Sequence, residues 1–329
     1  MSMKRHFAII TAFMAALAVN AVDDNTVEIV YNGNGATVTV ASNISSYITN
    51  NSNGAHVRLI QSSAVNDKVG EITYNLSGTT SDGEFYLEGG YKTTIELAGL
   101  SLTNQSGPAL NIQNGKRVAI SAKKGTENTL NDGANYTDDL NGCIHCKGHT
   151  EFQGKGTLSV VGHYKHAIYS KEYVEVKNLN LFINGAPKDG IHCKEYFLMK
   201  SGTVTINNVS DDGIQVEVEG DNPTAATADH EDEDTGNFYM EDGELTISEC
   251  GGKVIKADGS VNYNGGVQNF DKSAVVENAT GISNIVVDNL GASDAVYDLN
   301  GRQMTDGRSL SRGIYIIRQG EQVKKAIVR

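Results

Sequence analysis

Gly142-Cys143-Ile144-His145-Cys146-Lys147 is followed by His166-Ala167-Ile168-Tyr169-Ser170-Lys171 and Asp189-Gly190-Ile191-His192-Cys193-Lys194, and a degraded fourth copy opens at Asp212-Gly213-Ile214. The isoleucines at 144, 168, 191 and 214 are 24, 23 and 23 residues apart. A fixed period of this size, with each copy too short to bury its own apolar face, means a solenoid whose rungs stack around one shared core. The alternation reaches backwards through Ile95-Glu96-Leu97 and Val118-Ala119-Ile120, again 23 residues apart, to strands near 73–76 and 85–87. Each motif strand is followed by a second strand, at 157–160, 179–181, 203–206 and 244–247, with apolar side chains at alternate positions.

The composition agrees with an all-β chain. With 36 Gly, 3 Pro, no Trp and 20% charged residues, it suits many short strands joined by tight turns. Lys4 and Arg5 precede an apolar run at 7–19 and the small-residue site Val19-Asn20-Ala21, the pattern of a secretory signal cut after Ala21. No later stretch approaches the roughly 20 apolar residues of a membrane span. The formal net charge of −13, with no clustered basic surface, argues against nucleic-acid partners. An exported monomer, released or held at the cell surface, is expected.

The period breaks after Val218 for an acidic insert, 219–237, and resumes at Phe238-Tyr239-Met240. Insertions in solenoids grow from turn edges, often on the binding face. The sequence divides into a signal segment (1–21), a β-helix (22–260), a cap and linker (261–282) and a C-terminal domain (283–329) of short strands, read as a small β-sandwich. In that last part Val296-Tyr297-Asp298-Leu299-Asn300-Gly301-Arg302, Gly313-Ile314-Tyr315-Ile316-Ile317 and Lys325-Ala326-Ile327-Val328 resemble the sorting domain of the type IX secretion system. The resemblance implies the type IX machinery as a partner, passage across an outer membrane and removal of the domain.

If each motif isoleucine and the residue two beyond it point inward, the residues between and beyond point out. One outward column then stacks His145, Tyr169 and His192, and the next stacks Lys147, Lys171 and Lys194. Ammonium groups about 4.8 Å apart repel and need compensation. Glu172 and Glu195 would supply it in a merely solvated ladder; a cationic strip for an acidic polysaccharide is the sharper reading. Cys146 and Cys193 share an inward column two rungs apart, about 9.6 Å at the usual strand spacing, too far for a disulfide, and Ser170 fills the rung between them. A Cys143–Cys146 bridge would need a turn inside the motif. Zinc at Cys143-Ile144-His145-Cys146, with His192-Cys193 two rungs on, is disfavoured because cysteines in the core and histidines outside do not converge.

Asp189, Asp211 and Asp212 fall at the turn entering the motif on adjacent rungs, with Asp138 and Asp139 farther back. Hard oxygen ligands from successive rungs can surround Ca²⁺, although Asp-Gly is also simply good turn chemistry. Asp229, Glu231, Asp232 and Asp234 of the insert form a second calcium candidate, without the spacing of an EF-hand loop; a solvated acidic loop is the plainer account.

Glu71-Ile72-Thr73-Tyr74-Asn75-Leu76-Ser77-Gly78, Tyr91-Lys92-Thr93-Thr94-Ile95-Glu96-Leu97-Ala98-Gly99, Gly125-Thr126-Glu127-Asn128-Thr129-Leu130-Asn131-Asp132, Gly154-Lys155-Gly156-Thr157-Leu158-Ser159-Val160 and the Asp189-Gly190-Ile191-His192-Cys193-Lys194 rung together resemble the secreted bacterial carbohydrate-binding-domain family. Its members are right-handed parallel β-helices similar to pectate lyases. Over about residues 25–260 the resemblance implies calcium-dependent binding of plant-type polysaccharides, acidic ones such as polygalacturonate in particular, with cellulose a further candidate. Family acidic turn positions map onto Asp189, Asp211 and Asp212, while neighbouring rungs carry Gly142, His166 and Lys253 there, which leaves the number of metal sites open. On this reading Ca²⁺ bridges protein and uronate carboxylates while His145, Tyr169, His192 and Lys147, Lys171, Lys194 contact the sugar. The rival is a polysaccharide lyase with one of these lysines as base for β-elimination. Their shared repeat position speaks for architecture. An adhesin without a sugar ligand is the third class.

Overall fold

The computed structural model describes residues 22–136, 139–219, 224, 230 and 233–278, together with the pieces 282–283, 295–298, 301–304, 313–319 and 322–328. The signal segment lies outside these residues, as do Asp138, Asp229, Glu231 and Asp232. Among the described residues no helix is long and apolar enough to cross a membrane.

The chain winds into a parallel β-helix with three strands per complete turn, where the sequence reading found two. One face carries the motif strands, from His56–Gln61 and Glu84–Gly89 through Leu110–Asn114, Gly142–Cys146, His166–Ser170, Ile191–Lys194 and Ile214–Glu217 to Ile255–Ala257. A second face stacks Val118–Ala122, Thr150–Gly154, Val174–Lys177, Tyr196–Met199, Asn237–Met240 and Val261–Tyr263. A third stacks Glu127–Asn131, Thr157–Val161, Leu179–Ile183, Gly202–Ile206, Glu244–Ile247 and Val267–Asn269. The second and third faces merge at the long strand Thr93–Thr103. The middle strand was hard to see because it is short and two of its members, Tyr196–Met199 and Asn237–Met240, are buried on both sides, which erases the alternation.

Registers align the inward columns residue for residue. Phe85, Leu110, Ile144, Ile168, Ile191, Ile214 and Ile255 stack on the motif face, and all are inaccessible to solvent. Each such side chain contributes about 1.5–3 kcal/mol on burial. Phe197 and Phe238 stack inside the second face with ring centroids 5.1 Å apart. Ser170 fills the core between Cys146 and Cys193 as expected. Its hydroxyl is satisfied by Thr150 Oγ1 at 2.9 Å and the Gly148 carbonyl at 3.0 Å, which is the condition for burying a polar group. The four cysteines are free thiols. Glycine precedes isoleucine in two motif rungs because the coils touch there: a Cβ on Gly190 would lie 2.7 Å from the Gly213 carbonyl oxygen, and one on Gly213 2.6 Å from that of Val254.

The N-terminal end is closed by a hairpin of Thr26–Asn32 with Ala36–Val40 and by a 3₁₀ turn, Ser42–Tyr47, that buries Ile44. At the other end the coil passes the expected boundary at 260. Val261–Tyr263, Val267–Asn269 and Val275–Val276 all pair in parallel with the preceding rung, so most of the proposed cap and linker is one more turn; its strands are too short and too rich in Asn and Gly to show a period. Beyond it, among the described residues, Ile282–Ser283, Ala295–Asp298, Gln303–Met304, Gly313–Gln319 and Gln322–Val328 form a five-stranded sheet, mostly antiparallel.

Candidate functional site

The outer surface of the motif face is a polar ladder. Registers place Arg58, Tyr86, Asn111, His145, Tyr169, His192, Gln215 and Lys256 in one outward column. The alternation puts Glu88, Gln113, Lys147, Lys171, Lys194 and Glu217 in the next. The His145 and Tyr169 rings stack at 5.2 Å and 13°, and those of Tyr169 and His192 at 5.4 Å and 25°. Their faces are therefore turned toward one another, and His145 and His192 are only 8% and 9% exposed. The ring faces between these rungs are taken up by one another, and the column presents ring edges outward. Burial and the Lys165 ammonium push His145 down to about 4; the neutral ring accepts the Asn141 N–H at Nδ1, 3.1 Å away.

Two of the three lysines pair with other carboxylates than the sequence suggested. Lys171 Nζ lies 3.7 Å from Glu219 and Lys194 Nζ 3.9 Å from Glu217. Among the described residues Lys147, which is exposed, has no ion-pair partner. Glu172 and Glu195 turn instead to the corner leading to the second face, where Glu195 lies 3.6 Å and Glu172 3.9 Å from His149 Nε2. Burial and the neighbouring Glu172 carboxylate push Glu195 up to about 9, so one proton is shared between two acids. The folded chain binds that proton more tightly than the unfolded chain, so the associated stability is full below the ordinary glutamate range and drains as pH rises toward 9. Glu195→Gln is expected to raise the melting temperature at pH 8 and to flatten its decline between pH 5 and 9; a variant no more stable than wild type at pH 8 would contradict the shared proton.

Two adjoining hollows of about 190 and 360 Å³ open at the N-terminal part of the ladder. Arg58, Asn111 and Leu140 line both; Tyr86, Glu88, Gln113 and Lys147 complete the larger and Tyr136 walls the smaller. The Arg58 guanidinium sits 4.4 Å over the Tyr86 ring and 3.6 Å from Glu84. The wall belongs to an insertion between Glu127–Asn131 and Gly142–Cys146 that the sequence reading did not separate from the repeat. Tyr136 holds it by donating to Asp132 at 3.0 Å and packing on Tyr164 at 4.1 Å. Arg58, Tyr86, Asn111 and Gln113 escaped the sequence reading because their rungs lack the Gly-Ile-x-x-Lys signature. Polar residues alternating with Val57, Leu59, Phe85 and Leu87 were the signal available.

At the turn into the motif face, His166, Asp189, Asp212 and Lys253 occupy one column on successive rungs. Asp189 Oδ2 lies 3.0 Å from both His166 Nδ1 and His192 Nδ1, and its Oδ1 accepts the Asp212 N–H at 3.0 Å. Burial alone would raise the Asp189 pKa; the His166 and His192 hydrogen bonds overcome it and hold the carboxyl well below the usual carboxylate range. His192 Nε2 reaches Glu217 at 3.3 Å. Burial would lower the His192 pKa, and its two carboxylate partners raise it instead. Asp212 Oδ1 accepts the Lys253 N–H at 2.7 Å, and Oδ2 lies 3.5 Å from Lys256 Nζ. Ligand oxygens of Asp189, Asp211 and Asp212 come within 4.8 Å of one another, but Asp189 is committed to the two imidazoles. Exposed Asp211 adjoins buried Asp212, whose pKa is raised by burial, opposed by the Lys253 N–H and the Lys256 ammonium, and raised further by the Asp189 and Asp211 charges. Asp139 is exposed and does not join this cluster.

Among the described residues of the acidic insert, one not singled out in the sequence is anchored by side-chain hydrogen bonds. Glu233, fully buried, takes His230 Nδ1 at 2.6 Å, the Tyr239 hydroxyl at 2.8 Å, the Asn237 amide at 3.3 Å and the Thr235 hydroxyl. Asp234 Oδ1 accepts the Glu219 N–H at 2.8 Å, closing the base of the insert.

A carbohydrate-binding domain-containing protein family matches residues 66–305. Among solved structures, a gadolinium derivative of the polysaccharide lyase-like protein from C. thermocellum superposes with a TM-score of 0.55 at 18% identity, covering 77% of this chain and 99% of that one. At that identity the likeness is one of fold. No curated protein matches the chain. Since the family match spans most of the sequence, from the first complete coils into the C-terminal sheet, the chain belongs to the carbohydrate-binding domain-containing protein family.

Proposed function

We propose that the protein is an exported, monomeric polysaccharide-binding module for acidic plant-type glycans such as polygalacturonate. The observation that carries this reading is the groove on the motif face, where Arg58 and Lys147 stand among Asn111, Gln113 and the Tyr86 ring. Arginine pairs with carboxylates in a planar fork, the amides bond hydroxyls, and the ladder beyond continues with Lys171 and Lys194. A chain with a net charge of −13 needs such a local cationic strip to hold a polyanion. Calcium enters the proposal at Asp211 and Asp212, as a bridge to uronate carboxylates. The signal segment and the C-terminal sheet with its sorting-domain resemblance support export through type IX machinery, to the medium or the cell surface.

A polysaccharide lyase is the second reading, favoured by the placement of Lys147, which lines the groove and among the described residues has no ion-pair partner. Affinity electrophoresis through polygalacturonate, with calcium or chelator and with unsaturated-uronate absorbance followed in parallel, separates the two. Calcium-dependent retardation without absorbance growth is the expected result. Growth would make the protein a lyase, and neither effect would point to an adhesin or another glycan. Asp211→Ala with Asp212→Ala is expected to remove the calcium dependence; retardation equally calcium-dependent in that variant would end the bridge proposal.

A further inference from the structure

The His166, Asp189 and His192 cluster is not used by the glycan groove. Three ligand atoms of different residues converge there: His166 Nδ1 and His192 Nδ1 each lie 3.0 Å from the same oxygen, Asp189 Oδ2, and all three fall within 4.8 Å of one another. All three residues are buried. We propose that His166, Asp189 and His192 bind a first-row divalent metal ion of the zinc type through these three atoms.

The chemistry of the donor set selects the ion. Two imidazole nitrogens and one carboxylate oxygen suit zinc and its neighbours, whereas calcium demands six to eight oxygens. With metal–ligand bonds of about 2.0–2.1 Å, a tetrahedral site has ligand–ligand edges of roughly 3.3 Å. The two nitrogen–oxygen edges need open by only a few tenths of an ångström. Without the ion, His166 Nδ1, which accepts the Asp189 backbone N–H at 3.4 Å, and His192 Nδ1 both crowd one carboxylate oxygen with no cation between them. An ion there would be held by the Nδ1 lone pairs, and His192 would keep its Nε2–H for Glu217, 3.3 Å away.

The surroundings are those of a supported site. Glu217 stands 3.3 Å from His192 Nε2, the outer carboxylate partner that orients a metal-bound imidazole. The Asp212 N–H holds Asp189 Oδ1 at 3.0 Å, which leaves Oδ2 for the metal. His166 comes from one rung and Asp189 and His192 from the next, so the ion would tie two coils together. His192 also belongs to the outward column, stacked on Tyr169, so the bound charge would adjoin the glycan-facing ladder.

The test is a cobalt titration of the untagged full chain, read by visible ligand-field absorption, with zinc competition and melting temperature as second readouts. Wild type is expected to take up one equivalent, to lose the cobalt spectrum on adding zinc and to melt at higher temperature with zinc. His166→Gln and His192→Gln should each abolish the spectrum, and Glu217→Gln should weaken binding about 10–100-fold. Circular dichroism establishes that each variant is folded; if one histidine variant fails to fold, the other and Glu217→Gln carry the test. Absence of saturable cobalt binding in wild type, a spectrum surviving both histidine substitutions, or a thiolate charge-transfer band marking a cysteine site would overturn the proposal.

Discussion

Asp189→Ala is expected to cost about 3–5 kcal/mol of unfolding free energy, the range for removing one partner of a buried ionic network. The carboxylate is 1% exposed and is the common acceptor for His166, His192 and the Asp212 N–H. Truncation strands two imidazoles and a backbone donor away from water, and the His192–Glu217 contact loses the charge that orders it. Urea unfolding at neutral pH measures the loss. Because the folded Asp189 pKa is depressed, its contribution is complete above the unfolded value near 4 and fades as pH falls through the folded one. The gap between wild type and variant should narrow in acid. An unchanged urea midpoint at pH 7 would mean that the network carries no stability.

The second large effect is on binding. Arg58→Ala combined with Lys147→Ala is expected to weaken polygalacturonate retention about 100-fold. A hydrogen bond to a charged group contributes about 1.5–3 kcal/mol, and each 1.4 kcal/mol is a factor of ten. The two side chains line one hollow and Arg58 already stands 3.6 Å from Glu84, so their losses should add only in part. Lys194→Ala should do far less, because Lys194 does not line the hollow. The dependence on salt should also shrink in the double variant. Retention equal to wild type would move the glycan site off this groove.

Both effects draw on residues of different legibility. Asp189 and His192 sit three apart in a repeated motif, and the two columns they belong to were visible from spacing alone. His166 occupied the same column and was noted only as a departure from the acidic pattern; that it shares one oxygen with His192 depends on a ring centroid distance of 4.5 Å across two rungs. Arg58 and Glu84 belong to coils whose repeats have decayed, so no period flagged them. Glu233 was passed over within an acidic run, although it is the residue the fold buries.

The sequence by itself determined the solenoid, its inward isoleucine columns, the outward His/Tyr and Lys columns and the position of the insert. These follow from a side-chain period of two within strands and a period near 23 between rungs, both local properties of the chain. Only the tertiary structure decided that a turn has three strands, that the coil runs past 260, that the aromatic column stacks on itself, and that Asp189 answers to histidines before any cation. Those outcomes depend on which groups meet across rungs and which are screened from water. Distance and desolvation set them, and neither can be read from residue order.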